Sequence, residues 1–168
     1  MGEFRFEFRF PRKEEGLDAL KAFAENPKEG QRGWLDEGEV TLVVDRQPVL
    51  PPWRYEPNQT YTGFDWIGGG IGELVKAAQQ LHGGGDSAML IFLDSPIAIE
   101  FVREGSEVRL TVVADVGVNL TRTPLAHTRI SVDTLPGVAR DTAERYNAQL
   151  ADIDPRLPAI YGFRTPIV

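Results

Sequence analysis

Along the first ten residues, Phe4, Phe6, Phe8 and Phe10 alternate with Arg5, Glu7 and Arg9. A period of two sends the two sets to opposite sides of an extended chain, so this segment predicts a half-buried strand with its phenylalanines on the core. Pro11 stops it. Residues 14–25 bring Leu17, Leu20, Ala24 and Phe23 toward one helical face, until Asn26, Pro27 and Gly30 break the pattern. Period two returns at 39–45, with Val40, Leu42 and Val44 inward. Pro48, Pro51 and Pro52 keep that strand out of a central ladder, because proline has no N–H to donate.

The connection over 48–62 is rich in proline and aromatics and carries Trp53, Tyr55 and Tyr61. An irregular loop of this length in a compact domain is often functional. Ile67, Ile71, Leu74, Val75, Ala78 and Leu81 then mark the clearest helical stripe in the chain. Gly68, Gly69, Gly70 and Gly72 each cost about 1 kcal/mol relative to alanine inside a helix, which predicts a start near Ile71 unless the glycines serve close approach to a sheet. Gly83, Gly84 and Gly85 end it.

Residues 88–93 are apolar on both faces, as a central strand requires. Strands over 97–103 and 107–115, joined by Gly105-Ser106 in a type II′ turn, would pair Phe101 with Leu110 and Ile99 with Val112. Glu100, Arg109 and Thr111 would then share the opposite face. A sixth strand is expected near 127–132. A helix is expected over 136–150, with Ala139, Ala143, Tyr146 and Leu150 on one stripe and Pro155 beyond its end. The elements predict an α+β fold: a mainly antiparallel sheet of about five to six strands with two or three helices packed on it. Residues 1–168 form one domain in this reading, with an irregular connection at 48–62 and an extended, apolar C-terminal tail at 153–168 crossing its body.

Composition narrows the function. The hydrophobic fraction of 42% over 168 residues suffices for one core, and no segment has the roughly 20 apolar residues of a membrane helix. The N-terminal segment has no apolar h-region, so it is not a secretory signal, and a cytoplasmic location is expected unless a leader has been lost. There is no cysteine for disulfides or thiolate ligands. The net charge of −7 is spread evenly without a basic stripe, which argues against nucleic acid and suits a basic partner, although solubility alone explains such a charge in many proteins.

Candidate chemistry is sparse. The GGGIGE run at 68–73 has Glu73 where the dinucleotide pattern needs its third glycine, lacks the P-loop lysine, and has no hydrophobic strand predicted immediately before it. His82 and His127 lie in different elements without metal-ligand neighbours, and His82 is better read as favouring a helix C-terminus. None of the four serines sits in a nucleophile elbow. Asp152 and Asp154 read as a solvated acidic pair. Asp36, Glu37 and Glu39 gather beside Trp34, where a solvated turn competes with a binding role. Trp53, Tyr55 and Tyr61 offer a recognition surface, in competition with burial under their own loop. No cofactor or metal is expected.

The succession FDWIGGGIGELVKAAQQL, SAMLIFLD and PIAIEFVREGSEVRLTVV resembles the helix, strand and hairpin of small cytoplasmic immunity proteins from bacterial polymorphic-toxin systems. It covers about a third of the chain by pattern and transfers no individual residue. The resemblance implies a non-catalytic protein-binding domain that neutralises a cognate, basic toxin. In that reading Asp36, Glu37 and Glu39 steer the encounter, and Trp53, Tyr55 and Tyr61 anchor the complex. The alternative is a small-molecule-binding domain or enzyme with a pocket under the 48–62 loop. A third reading, a component of a larger assembly, would show itself by an exposed apolar strand edge.

Overall fold

The computed structural model describes residues 4–10, 14–27, 37–44, 47–48, 63–92, 97–114 and 123–164. The strands are β1 (Phe4–Arg9), β2 (Glu37–Val44), β3 (Gln47–Pro48), β4 (Gly63–Trp66), β5 (Ser87–Ile91), β6 (Ile97–Glu104), β7 (Glu107–Ala114) and β8 (Thr123–Ser131). The helices are α1 (Glu14–Glu25), α2 (Ile67–His82), α3 (Thr134–Ile153) and α4 (Leu157–Tyr161). The α+β class and the antiparallel pairing follow the sequence reading. The described strands, however, divide between two four-stranded sheets: β2 pairs with β1, β3 and β4 in one, and β5-β6-β7-β8 run in order in the other.

In the first sheet Phe6 lies opposite Leu42 and Phe8 opposite Val40. Phe4, Phe6, Val40 and Leu42 are buried, as the alternation requires, and Val43 on the other face is buried as well. Pro48 takes the position that proline tolerates, in a two-residue strand opposite Val43 and Val44. The side chain of Val44 lies outside the described residues.

Helix α2 begins at Ile67, four residues before the expected start, and follows directly on β4, a strand the sequence reading lacked. Close packing accounts for one of the tolerated glycines. A Cβ on Gly70 would stand 3.2 Å from Phe6 Cζ and 3.8 Å from Phe92 Cε1, so the helix rests on both rings where only hydrogen fits easily. Ile67, Ile71, Leu74 and Leu81 are fully buried along the stripe, each contributing about 1.5–3 kcal/mol by leaving water. At the far end Gly84 N–H donates to Leu81 O at 3.2 Å and Gly85 N–H to Gln80 O at 2.9 Å, with Gly84 at φ 92°. This is the Schellman arrangement, and the left-handed residue falls on glycine, where it carries no steric cost. Arg103 of β6 also donates through Nη1 to Leu81 O at 3.0 Å, so the sheet secures the helix end.

The β6–β7 hairpin has the expected register, Phe101 opposite Leu110 and Ile99 opposite Val112. Gly105 at φ 71° supplies the positive angle required at the first central position of the turn. Strand β8 is longer than expected and pairs with β7 through an irregularity between Val112 and Val113. The expectation of a central strand at 88–93 is overturned: among the described strands β5 lies at an edge of the second sheet, with Ile91 40% exposed. Its inner residues, Ala88 and Leu90, are buried beneath α2, which is the burial that its apolar sequence records.

Helix α3 buries Leu135, Ala139, Ala143, Tyr146 and Leu150. The tail is only partly extended, because 157–161 form the short α4. Leu157 is fully buried, and Asn147 clasps the chain beyond: its Nδ2 donates to Phe163 O, and its Oδ1 accepts from Phe163 N–H, both at 2.9 Å. Of the acidic pair, Asp152 is exposed as expected, whereas Asp154 is half-buried and paired. Its carboxylate accepts from the Arg156 side chain at 2.9 and 2.7 Å and from the Arg156 backbone at 2.9 Å. One continuous cluster of buried side chains joins β1, β2, β5–β8 and all four helices.

Candidate functional site

The outer face of the first sheet carries the polar half of the N-terminal alternation. Antiparallel register sets Glu7 opposite Thr41 and Arg9 opposite Glu39. Residues directly opposite in this way have their side chains in reach of each other. Arg9 Nη2 donates to Glu39 Oε2, and Arg5 Nη1 lies 3.4 Å from Glu7 Oε1. Glu7, Phe8, Arg9, Glu39 and Thr41 line an open depression of about 370 Å³. The Thr41 hydroxyl is shut off from solvent beside it and has no hydrogen-bond partner among the described residues.

Beneath this surface, β1 is held by α3. Arg145 Nη2 donates to Phe6 O at 2.7 Å, and its guanidinium lies 5.5 Å above the Phe8 ring. Phe8 and Phe10 contact Tyr146, with centroids 5.9 and 5.7 Å away, and Phe163 closes on the same tyrosine at 5.8 Å. The floor of the depression therefore rests on a packed aromatic layer, which fixes the geometry of the charged groups above it.

Of the six residues expected to bind a partner, Glu39 is the one whose side chain is described, and it lines the depression in an ion pair with Arg9. Glu37 belongs to β2 opposite Trp66, with its side chain outside the described residues. Asp36, Trp53, Tyr55 and Tyr61 also lie outside them. Glu7, Arg9 and Thr41 were missing from the sequence-based set. The alternation of β1 already placed Glu7 and Arg9 on the solvent side, and the pairing of β1 with β2, which joins them to Glu39, was the missing link.

A second charged group gathers at the hairpin tip. Glu104 accepts from Arg109 Nε at 2.8 Å and lies 2.9 Å from Arg129 Nη2. The Arg109 hydrogen bond, assisted by the Arg129 charge, holds the Glu104 carboxyl below the usual carboxylate range. These groups are solvent-exposed and tie β6, β7 and β8 together. His82 is the exposed last residue of α2, and His127 stands opposite Thr111 on β8 with its side chain outside the described residues. Among the described residues, no group of three or more His, Cys, Asp or Glu is placed to hold a metal ion, and no helix is long and apolar enough to cross a membrane.

The strand before the GGGIGE run removes one of the three objections to a phosphate loop. Glu73 and the missing lysine are the other two, and Gly70 is explained by its contact with Phe6. Compared with known proteins, the chain matches no family model, no curated protein and no solved structure. Function must be argued from the surface itself. Each described carboxylate of the depression already holds an arginine, so the site presents alternating charges with spare acceptor positions, an arrangement for recognising a polar surface.

Proposed function

We propose that this chain is a non-catalytic protein-binding domain, an immunity-like inhibitor that binds and neutralises a cognate basic toxin in the cytoplasm. The observation that carries the reading is the outer face of β1 and β2, where Glu7 and Glu39 border an open depression on a rigid aromatic base. The net charge of −7 would accelerate approach of a basic partner. Asp36 and Glu37 precede Glu39 in sequence and would extend its acidic side, while Trp53, Tyr55 and Tyr61 would slow dissociation as aromatic anchors. Glu39 contributes less to long-range steering than a free acid, because Arg9 offsets its charge, and it acts by exchanging that arginine for a cation of the partner.

Affinity capture of the chain's partners from lysate of its native source, washed at increasing salt, tests the reading. One stoichiometric basic enzyme whose activity falls on binding is the expected result. With that partner in hand, replacing Asp36, Glu37 and Glu39 by Asn or Gln lowers the association rate at low salt, and an unchanged rate removes them from the site. The volume of the depression, about 370 Å³, also falls in the range of small-molecule sites, so a ligand-binding domain or enzyme is the second reading. Capture of nothing at low salt, together with thermal stabilisation by a small molecule, would favour it.

A further inference from the structure

Strand β5 occupies an edge for which its sequence is unsuited. Residues 87–93 are without charge and apolar on both faces, the pattern of a strand with neighbours on both sides, yet among the described strands β5 pairs with β6 alone. The phase of the ladder shows which backbone groups are left over. Arg103 N–H donates to Asp86 O at 2.8 Å, continuing the register that sets Ser87 opposite Val102. Antiparallel pairs alternate, so Ala88 and Leu90 direct their N–H and C=O groups at β6, and Ser87, Met89 and Ile91 direct theirs outward. Gln80 confirms the direction by donating to Ser87 O at 2.7 Å from outside the ladder. Ile91 is the exposed large hydrophobic residue among those described.

We propose that β5 pairs antiparallel with β5 of a second copy of the chain, about a twofold axis at Met89. In this register Met89 faces Met89, and Ser87 faces Ile91 in both directions. Every residue with outward-directed backbone groups thus meets another of the same kind, and Ser87 O still has a lone pair for the second bond. Asp86 falls opposite Phe92, so no like charges confront each other. A basic partner would find no charge to read on this strip, in a chain whose charged residues make up 26% of the total. Nor does β5 carry the lysine, proline or bulge by which natural edges repel a second strand. The β5-β6-β7-β8 sheets of the two copies would join into one sheet of eight strands. This contact lies apart from the β1–β2 face and does not rest on the function proposed for it.

Sedimentation velocity of the full chain, from about 5 µM to about 1 mM, tests the contact, because a strand pair of this length buries less than the ~1,200 Å² typical of stable complexes and should be concentration-dependent. The wild type is expected to pass from monomer to dimer. Ile91→Lys, at an exposed site, should raise the midpoint concentration at least about tenfold. Ile91→Thr is a milder second variant should the lysine disturb folding, and it should raise the midpoint by a smaller factor. In parallel, exchange of the Met89 and Ile91 amides should slow as concentration rises. A monomer over the whole range overturns the proposal. So does a dimer whose midpoint and amide exchange are indifferent to both substitutions, since that dimer uses another face.

Discussion

Three positions show how single atoms set local stability. A Cβ on Gly38 would collide with the Arg9 carbonyl oxygen and approach Ile67 Cδ1 to 2.6 Å. Backbone cannot yield as a side chain does, so Gly38→Ala should destabilise by about 2 kcal/mol or more, read from denaturant midpoints. At Gly72 the nearest group, Phe163 Cε1, would lie at an ordinary 3.9 Å, and Gly72→Ala should stabilise by about 0.5–1 kcal/mol through helix propensity. Thr41 is the third position. Its buried hydroxyl lacks a partner among the described residues, so Thr41→Val should stabilise the free protein by about 1 kcal/mol. No gain on urea unfolding would mean that the hydroxyl is satisfied in solution. Asp154 adds a pH dependence: hydrogen bonds from the Arg156 side chain and then its backbone lower its carboxyl from the ordinary 3.8 to about 2. Because the folded value lies below the unfolded one, the stabilisation is complete above about pH 4 and disappears as pH falls through about 2. Asp154→Asn should remove that acid-side slope, and a slope that survives assigns it to another carboxylate.

At the scale of elements, the most legible parts of the sequence were those with a sustained period. The phenylalanine alternation of β1, the stripe of α2 and the β6–β7 register all follow from side chains that must lie on one side of a surface. What escaped was set by tertiary contact. Four residues of β4 are too few to display a period, and the early start of α2 depends on Phe6 and Phe92 receiving Gly70. The edge position of β5 was equally invisible, because burial under α2 and a neighbour on each side leave the same apolar sequence. Of the candidate site, Glu39 was legible as part of an acidic run, but its meeting with Glu7, Arg9 and Thr41 depends on strand pairing across 30 residues. The clasp on the tail belongs to the same class. Asn147→Ala removes both hydrogen bonds to Phe163 and should cost about 1–2 kcal/mol. Exchange at the Phe163 amide should accelerate more than exchange in α2, and equal acceleration would mean that the tail unfolds only with the whole domain.

For the whole molecule, the two proposed contacts respond to salt in opposite senses, and this separates them without knowledge of the toxin. Each copy carries a net charge of −7, so two copies repel at long range while their β5 strands meet through uncharged residues. Raising ionic strength from about 20 to about 500 mM shortens the screening length from roughly 20 to roughly 4 Å and removes most of that repulsion. Self-association should therefore strengthen with salt, and the sedimentation midpoint should fall. Association with a basic partner through the β1–β2 face should instead slow, because the same screening removes the attraction that brings the two together. Ile91→Lys adds a positive charge to each copy and reduces the repulsion, yet it places a lysine on the strand edge. It should therefore weaken self-association at every salt concentration, because the lysine sits on the paired edge, and a strengthening at low salt would move the interface away from β5. A midpoint that rises with salt in the wild type would mark the contact as ionic, which the uncharged residues 87–93 cannot supply, and would move the interface away from β5.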